Sequence, residues 1–308
     1  MFLILGVKIM QWALFIPNLH QFHHLDDPWQ SKDLTLGEKA YQKLQQEFGE
    51  IDFNRIYFGQ EFCERAMPGI REIKEALARS REKKFTLVTP YVTEKGLSKL
   101  VDIFYYLVKC KPTSEVVVND WGVLHLIRQK FPSLKPVFGR LLNKMLRDPR
   151  LKPCSPSKTS NTKFKHFQTC SLAGSLMKDL LSKYNVEIIE IDNLPQGIDN
   201  NIASWGYQVA MYIPYGYVTT GRICFFQSWD FKLKDKFRTN SNSCQHLCRS
   251  NYLHLNTIND LISINHSWDL IQRGNTVFYK QKPAFLTSGL SNAKNLGINR
   301  IIYQPEPF

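Results

Sequence analysis

Seven cysteines are the residues of this sequence with the clearest potential for chemistry, and two of them are closely spaced. Cys244 and Cys248 lie four positions apart, so on a helical turn or in a tight loop both sulfurs can face one centre. Their segment is polar and offers little apolar material to bury them, whereas structural cysteines pack among apolar neighbours. The pair therefore indicates ligation of a metal ion or cluster.

Two further cysteines follow predicted strands at similar intervals. Cys63 follows the run Arg55–Phe58, and Cys224 follows the run Gln208–Tyr217. In a barrel of parallel strands, residues just beyond the C-terminal ends of the strands converge on one face. Together with the closely spaced pair they would supply four thiolates, the number that a [4Fe–4S] cluster or a tetrahedral Zn²⁺ requires. The spacing alone does not choose between iron–sulfur and zinc.

The other three cysteines have a simpler interpretation. Cys110 ends a predicted helix, Cys170 begins one, and Cys154 lies in a proline-rich segment, so we interpret all three as packing or surface thiols. An odd number of cysteines in a chain of this length does not indicate a disulfide framework.

Two charged side chains at strand ends are candidates for catalysis or substrate binding. Asp120 directly follows the predicted strand Glu115–Asn119 and opens a helix, so it could be a catalytic or ligand-orienting carboxylate, the helix N-cap, or both. Arg140 follows Pro136–Gly139 and could bind a substrate carboxylate or phosphate through two hydrogen bonds; the alternative is a solvated arginine. The sequence has no nucleophile elbow, Walker loop or dinucleotide fingerprint, and no spacing singles out a hydrolytic triad.

A histidine-rich segment near the N-terminus resembles a metal-ligand cluster. It contains His20, His23 and His24, and Asp26 and Asp27 follow. The simpler interpretation is a polar loop after the first strand, because the chain contains no helical HExxH-type partner motif.

These side chains need a scaffold, and short apolar runs alternate with helix-like segments along the chain. Several of the runs are continuously apolar, as in parallel strands that are buried on both faces. The predicted strands are Trp12–Ile16, Arg55–Phe58, Phe85–Pro90, Glu115–Asn119, Pro136–Gly139, Val186–Ile191, Gln208–Ile213 and Thr276–Tyr279, with Arg300–Tyr303 as an additional candidate. The predicted helices are Ile70–Glu82, Glu94–Val108, Val123–Lys130 and Ser171–Tyr184. The alternation predicts an α/β fold, a (β/α)8 TIM-type barrel in one domain over residues 1–308, with an open doubly wound sheet as the alternative.

Composition and two irregular segments limit the classes of protein further. Residues 147–167 are rich in Pro, Ser, Thr and Lys, and residues 229–250 are polar and basic, so both are predicted surface loops. With 43% hydrophobic and 22% charged residues among 308, the chain is not collagen-like, coiled-coil or wholly disordered. A formal net charge of +13 favours anionic partners such as nucleic acid, acidic metabolites or a membrane surface.

The apolar N-terminal stretch from Met1 to Leu19 is the one segment that resembles a targeting signal. Lys8 and Gln11 interrupt it, and it has neither a basic leader nor a small-residue cleavage site. We therefore interpret Gln11–Ile16 as a buried first strand, with Met10 as an alternative start. No other stretch offers the roughly 20 apolar residues that a membrane-spanning helix needs. We therefore expect a cytoplasmic protein without a membrane span.

Motifs in five segments carry a resemblance to a known family. They are RIYFGQEFCER (55–65) with a Gly-x-Glu-x-Cys turn, VVVNDWGV (116–123) with an Asp-x-Gly-Val step, PVFGRLLN (136–143) with an Asn-bearing turn, YGYVTTGRIC (215–224) ending in a cysteine, and CQHLC (244–248). In this order they resemble the UbiV-type branch of the collagenase-like U32 peptidase family, over about residues 54–280. One early cysteine combined with three late ones is the most specific element of the resemblance.

The resemblance implies a function as well as a fold. It implies a (β/α)8-type barrel with one [4Fe–4S] cluster on Cys63, Cys224, Cys244 and Cys248. UbiV-like proteins act with a second family member in oxygen-independent hydroxylation during anaerobic ubiquinone synthesis, with prephenate as the oxygen donor. Peptidase activity is not expected, because the sequence offers no protease machinery.

The charged surroundings of such a cluster can also be predicted. The nearby side chains of Arg65, Arg222 and Arg249 would offset the negative charge of the cluster and raise its reduction potential, unless they are ordinary surface charges.

Two other functions stay open at this point. One is RNA modification by a member of the same family, for which the net charge of +13 would supply electrostatic affinity. The other is a zinc-stabilised binding module without catalysis, in which the four cysteines are structural. The expected partners are accordingly a related family member in a hetero-oligomer, an anionic small-molecule substrate, or RNA.

Overall fold

The structure is a computed structural model that describes residues 10–29, 35–80, 82–148, 162–237, 244–255 and 268–308. The strands of this part of the chain are β1 (Gln11–Ile16), β2 (Phe53–Gly59), β3 (Lys84–Val88), β4 (Glu115–Val118), β5 (Lys135–Phe138), β6 (Ile188–Asp192), β7 (Gln208–Ile213), β8 (Tyr215–Thr220), β9 (Leu253–His254), β10 (Asp269–Arg273), β11 (Thr276–Lys280) and β12 (Arg300–Tyr303). The α-helices are α1 (Glu38–Phe48), α2 (Ile70–Arg79), α3 (Glu94–Cys110), α4 (Trp121–Lys130), α5 (Thr162–Gln168), α6 (Ser175–Lys183) and α7 (Pro283–Asn295).

Eight parallel strands close into a barrel in the order β1, β12, β7, β6, β5, β4, β3, β2. β1 pairs with β2 on one side and with β12 on the other, so the first and the last barrel strands close the ring. Helices lie between successive strands along the chain. The (β/α)8 TIM-type barrel is therefore confirmed, and the open doubly wound sheet is wrong, because the sheet has no free edge.

The eighth barrel strand is not the one that the pattern predicted. Thr276–Tyr279 belongs to β11, which lies in a separate antiparallel sheet of order β8, β11, β10, β9. The additional candidate Arg300–Tyr303 is β12, which pairs in parallel with β7 and β1. Both segments are short apolar runs with β-branched or aromatic residues, so only the pairing partner distinguishes them. The small sheet is inserted between β7 and the last strand of the barrel.

Strand residues of the barrel are buried on both faces. Ala13 and Phe15 of β1 belong to an interior cluster to which other barrel strands also contribute, among them Tyr57 of β2 and Tyr212 of β7. The alternate residues of β1, such as Leu14, pack with the helices in the main core. This double burial is the physical reason for the continuously apolar strand sequences.

The predicted helices are present with shifted ends, and some elements were not predicted. The prediction Ser171–Tyr184 is interrupted at Gly174, where a 3-10 turn precedes α6. The predictions over residues 70–82, 94–108 and 123–130 correspond to α2, α3 and α4. The helices α1 and α7 were missed; α1 is strongly polar and buries only Ala40 and Leu44 among its side chains.

The two predicted loops are partly ordered. Within residues 147–167 the helix α5 begins at Thr162, so the prediction of a loop is wrong there, and residues 149–161 lie outside the described part. Within residues 229–250 the structure has two 3-10 turns, Leu233–Asp235 and Leu247–Arg249, and residues 238–243 are not described. The single-domain organisation over residues 1–308 stays a prediction. None of the helices in the described ranges has the length and apolar character needed to cross a bilayer.

Candidate functional site

A cavity of about 290 Å³ contains all four cysteines predicted as ligands in its lining. Cys63 lies in the turn after β2, and Cys224 follows β8. Cys244 and Cys248 lie on the turn that precedes β9. Cys63 therefore meets, around one space beyond the C-terminal end of β2, two segments that lie more than 150 residues further along the chain and within 20 residues of each other.

The four sulfurs are spaced more widely than the ligands of a single ion. Among the described residues, no three of these sulfurs lie within 4.8 Å of one another. Around one Zn²⁺, with Zn–S bonds near 2.3 Å, tetrahedral sulfurs would be about 3.8 Å apart. In a [4Fe–4S] cluster each thiolate binds a different iron, so the sulfurs are further apart. The described sulfurs therefore do not form a compact tetrahedral zinc site as they stand.

Backbone N–H groups donate hydrogen bonds to at least three of the four sulfurs. The N–H of His246 donates to Cys244 Sγ over 3.4 Å. The sulfur of Cys63 accepts from the backbone of Arg65 and Ala66, and the sulfur of Cys224 accepts from that of Phe226 and Gln227. Such hydrogen bonds stabilise thiolate charge and tune the potential of an iron–sulfur cluster.

Burial favours the protonated form of three of the thiols, Cys63, Cys224 and Cys248. Desolvation raises the pKa of Cys63 and of Cys224, and neighbouring cysteines raise both further. Burial together with the neighbouring thiols raises the pKa of Cys248 to about 12. Coordination requires thiolates, so binding of a metal or cluster here must release protons.

The structure encloses Cys248 more than the polar sequence suggested. Its side chain is buried in a small apolar cluster with Ala66 and Phe308, whereas the other three ligand candidates are half-buried. Arg273 Nε donates to the Cys248 carbonyl over 2.8 Å and holds this turn against β10. The expectation that the closely spaced pair lacks apolar neighbours is therefore wrong for Cys248.

Two of the three predicted counter-charges lie at the cavity. Arg65 and Arg222 line it, and the guanidinium of Arg222 lies over the ring of Tyr91 at 5.2 Å. Arg249 is not part of the lining; its guanidinium lies 3.8 Å from the carboxylate of Glu72. The cavity is thus lined by two arginines from different segments, and the acidic residue Glu64 is also part of the lining.

Arg140 is fully buried, so the alternative interpretation as a solvated arginine is wrong. Its Nε and Nη2 donate to the Glu61 carboxylate over 2.7 and 2.8 Å, and Nη1 donates to Asp192 over 2.6 Å. Burial lowers the pKa of Arg140, but the two carboxylates raise it by more, so its pKa is well above the usual range. The two hydrogen bonds that the sequence analysis expected the guanidinium to donate to a substrate anion are donated to Glu61.

Asp120 is the N-cap of α4. Its Oδ1 accepts from the backbone N–H of Gly122 over 2.7 Å and of Val123 over 3.2 Å. Its Oδ2 accepts from Val92, next to Thr93, which lines the cavity. The capping role is therefore present, and the catalytic role of Asp120 stays a prediction.

The three remaining cysteines are not part of the cavity where the structure describes them. Cys110 is exposed at the end of α3. Cys170 is buried and forms an isolated backbone bridge with Met145. Cys154 lies outside the described residues.

One site residue that sequence reasoning missed is Asn275, in the turn between β10 and β11. Its Nδ2 lies 2.7 Å from the Phe62 carbonyl and 2.6 Å from the Gly221 carbonyl. Phe62 adjoins Cys63, and Gly221 lies three residues before Cys224. Asn275 thus ties together two cysteine-bearing segments, and no local pattern in the sequence could have shown this.

Comparison with known proteins gives only distant similarities. No protein-family model matches the chain, and no curated protein matches it. Among solved structures, a U32 peptidase, Mk0906, is similar at 10% identity and a TM-score of 0.42, covering 100% of this chain and 97% of that chain. A glycoside hydrolase family 18 N-acetylglucosaminidase from Paenibacillus barengoltzii is similar at 7% identity and a TM-score of 0.33, covering 96% and 94%. The barrel assignment rests on the strand order of this chain alone.

Proposed function

We propose that this chain is an iron–sulfur protein that binds one [4Fe–4S] cluster through Cys63, Cys224, Cys244 and Cys248. The observation that carries the proposal is that these four thiols line a single cavity, although Cys63 is more than 150 residues away from the other three in sequence. Metal-binding cysteines need such convergence, whereas incidental cysteines do not. Two features support a cluster over a structural zinc ion: among the described residues no three of the four sulfurs lie within 4.8 Å of one another, and the N–H of His246 donates to Cys244 Sγ.

The chain's own residues would supply a partly apolar wall and positive charge for such a cluster. Phe62 and Phe308 form part of the cavity wall and limit the access of water. The guanidinium groups of Arg65 and Arg222 offset negative charge there. The bound cluster would supply one-electron transfer, and its potential would depend on these charges and on the hydrogen bonds to the sulfurs.

The proposed role of the cluster is oxygen-independent hydroxylation in ubiquinone biosynthesis, together with a related family member. The five motifs that resemble the UbiV-type branch support this role. The position of the cavity, beyond the carboxyl end of β2, is also where barrel enzymes place their active sites. A half-open cavity rim that includes Tyr91 and Arg222 leaves room for a reacting partner molecule.

A second candidate substrate is RNA, and one surface feature favours it. The segment after Cys224 exposes aromatic rings, with Trp229 55% exposed and Phe237 77% exposed. Lysines at positions 232, 234 and 236 accompany them. Exposed aromatic rings among basic side chains are a typical surface for stacking single-stranded bases and neutralising phosphates.

The cluster proposal is tested by anaerobic purification followed by iron and sulfide analysis. We expect a brown protein with about four iron and four sulfide per chain, and loss of both in Cys63→Ala and Cys244→Ala. Cys110→Ala is the matched control, because this exposed thiol lies away from the cavity, and it should keep the full iron content. A colourless protein with one zinc per chain would instead identify the zinc-stabilised binding module.

The substrate is tested in cells grown without oxygen. Deleting the gene should stop hydroxylation of the quinone precursor, and the Cys110→Ala form should restore it whereas Cys244→Ala should not. Normal ubiquinone together with a missing modified nucleotide in RNA would reject the quinone role and select RNA modification.

A further inference from the structure

A second group of metal-binding side chains lies outside the cysteine cavity. His23 and His24 belong to the 3-10 helix Leu19–Leu25 after β1, and Glu306 follows β12. One ligand atom from each of the three lies within 4.8 Å of the other two. The segment is helical, so the expected polar loop is wrong, and its histidines meet a carboxylate that is 282 residues away from His24 in sequence.

The separation of two of these ligand atoms suits a single ion. His24 Nε2 and Glu306 Oε1 are 3.3 Å apart. Two ligands at the usual Zn–N and Zn–O distances, separated by a tetrahedral angle, lie about 3.3 Å from each other. An ion could therefore take the place of the His24–Glu306 contact without movement of the main chain.

A hydrogen bond prepares the ring of His23 for coordination. His23 Nδ1 lies 3.0 Å from the carbonyl oxygen of His20, which can only accept, so Nδ1 carries the proton in the neutral ring. Nε2 then carries the lone pair that a metal needs. Metal-binding histidines commonly donate their other N–H to a backbone carbonyl in this way. The ring centroids of His23 and His24 are 4.1 Å apart, and one nitrogen of each ring lies within 4.8 Å of a Glu306 carboxylate oxygen.

The carboxylate of Glu306 is also oriented by its neighbours. Its Oε2 accepts from Gln21 Nε2 over 3.0 Å and from Arg273 Nη1 over 3.1 Å, which leaves Oε1 directed at His24. The positive charge of Arg273 opposes a cation and limits the affinity. The ring of His24 is fully buried, and within the described residues its Nδ1 has no hydrogen-bond partner.

We infer that His23, His24 and Glu306 form a mononuclear site for a divalent transition-metal ion such as Zn²⁺ or Fe²⁺, separate from the four cysteines. Two imidazoles and one carboxylate are a ligand set that proteins use for zinc and for non-haem iron. Three protein ligands leave at least one position for water or for a bound molecule.

The site is tested with Zn²⁺ added to the anaerobically purified full-length protein, by calorimetry and by elemental analysis after gel filtration. We expect about one zinc per chain in addition to any metal on the cysteines. His23→Asn and Glu306→Gln should weaken zinc binding by at least about 10- to 100-fold, the effect reported even for groups that only orient a ligand.

Two control variants keep this test decisive. His20→Asn retains the backbone carbonyl that accepts from His23 and should bind zinc like the unchanged protein. Cys244→Ala should also keep this zinc, which separates it from metal on the thiols, and His23 lies outside the buried core, so its variant should fold. Absence of a stoichiometric zinc, or equal binding by His23→Asn and the unchanged protein, would overturn the inference. So would zinc that disappears with Cys244→Ala.

Discussion

The barrel contains a buried arginine ion pair at each end, and only one end adjoins the cysteine cavity. At the N-terminal end of the strands, Arg300 donates to the Glu115 carboxylate over 2.6 and 2.9 Å and to Tyr57 Oη over 2.6 Å. At the C-terminal end, Arg140 pairs with Glu61 and Asp192. The two arrangements have the same chemistry, with planar guanidinium groups matched to carboxylates.

The similarity of the two ends shows that a buried charge does not by itself mark a reactive site. Both guanidinium groups are engaged by carboxylates, and removing one partner of such a pair leaves an uncompensated charge. What distinguishes the C-terminal end is the neighbouring space lined by thiols, with Cys63 only two residues beyond Glu61. The ion pair at that end therefore fixes the backbone from which the first cysteine projects.

The largest expected effect comes from breaking either ion pair. Arg140→Met leaves Glu61 without its bidentate partner, and Arg300→Met does the same to Glu115. Arg140→Met should lower the free energy of unfolding by about 3–5 kcal/mol, as for other buried pairs that lose one member. Arg300→Met should lower it by less, because Arg55 Nη1 still lies 3.1 Å from the Glu115 carboxylate. Urea denaturation of both variants measures this.

The iron content of the same two variants shows which of the two ion pairs affects the cysteine cavity. It is measured on folded protein at low temperature. Arg140→Met should reduce the iron content, because Glu61 is held two residues before Cys63, whereas Arg300→Met should not. An Arg140→Met protein with unchanged stability and iron content but no activity would contradict the view that the two ends are alike, and would make Arg140 a substrate-binding group.

Acidification should weaken the N-terminal end in a defined direction. Burial raises the pKa of Glu115, but the hydrogen bond and charge of Arg300 and the charge of Arg55 lower it by more, so its pKa is below the usual range. The stabilisation is therefore complete above the unfolded-state pKa of about 4.3 and is lost as the pH falls through the lower folded-state value. Each unit of lowering corresponds to about 1.4 kcal/mol.

The measurement compares the unfolding free energy of the unchanged protein and of Glu115→Gln from about pH 6 downward. The advantage of the unchanged protein should shrink on acidification, because the neutral amide cannot titrate. An advantage that stays constant or grows as the pH falls would show that Glu115 is not held ionised by Arg300.

A substitution of Gly274, next to Cys248 at the cavity, should lower the stability by less than the loss of an ion pair. Gly274 has a φ of 60°, and an added Cβ would lie 3.4 Å from Cys248 Cβ and 3.6 Å from its sulfur. Gly274→Ala should cost about 1–2 kcal/mol, because residues with a Cβ are disfavoured in this left-handed conformation. Thermal melting measures the cost; Gly206→Ala, also at positive φ but with open space around it, is the control for the backbone term.

Only the Gly274 variant places its added methyl group near a cysteine, so iron content separates the contact with Cys248 from the backbone cost that both variants share. A methyl group at position 274 would lie in ordinary van der Waals contact with Cys248, so it should reduce the iron content only if it takes space that a bound cluster needs, whereas one at position 206 should leave the iron content unchanged. Equal iron content in both variants would show that the packing around Cys248 tolerates the added group.

The smallest expected effect is the loss of a helix cap. Asp120→Ala removes the acceptor for two backbone N–H groups of α4 and should cost about 1 kcal/mol of stability. Asp120→Asn keeps a capping oxygen and should be nearly as stable as the unchanged protein. If Asp120→Asn is stable but inactive, Asp120 has a catalytic role in addition to its cap, and the C-terminal end is more reactive than its ion pairs suggest.

The sequence by itself determined the alternation of strands and helices, and it singled out the four cysteines that line one cavity. The strands are recognisable because residues such as Leu14 and Phe15 are buried on opposite faces, which makes the run continuously apolar. Cys63 and Cys224 could be proposed because they follow strands, and strand ends converge in a barrel. The apolar pattern of a strand and the position of a cysteine after it are local properties, so a single segment of sequence is enough to predict them.

The tertiary structure alone decided which partners meet. It made Arg300–Tyr303 the closing strand, because a strand's sheet is defined by its neighbours and not by its own residues. It buried Arg140 against Glu61, 79 residues away, and brought Glu306 to His24. A buried charge needs an opposite charge beside it. In these cases the partner is far away in sequence, so no local pattern predicts it.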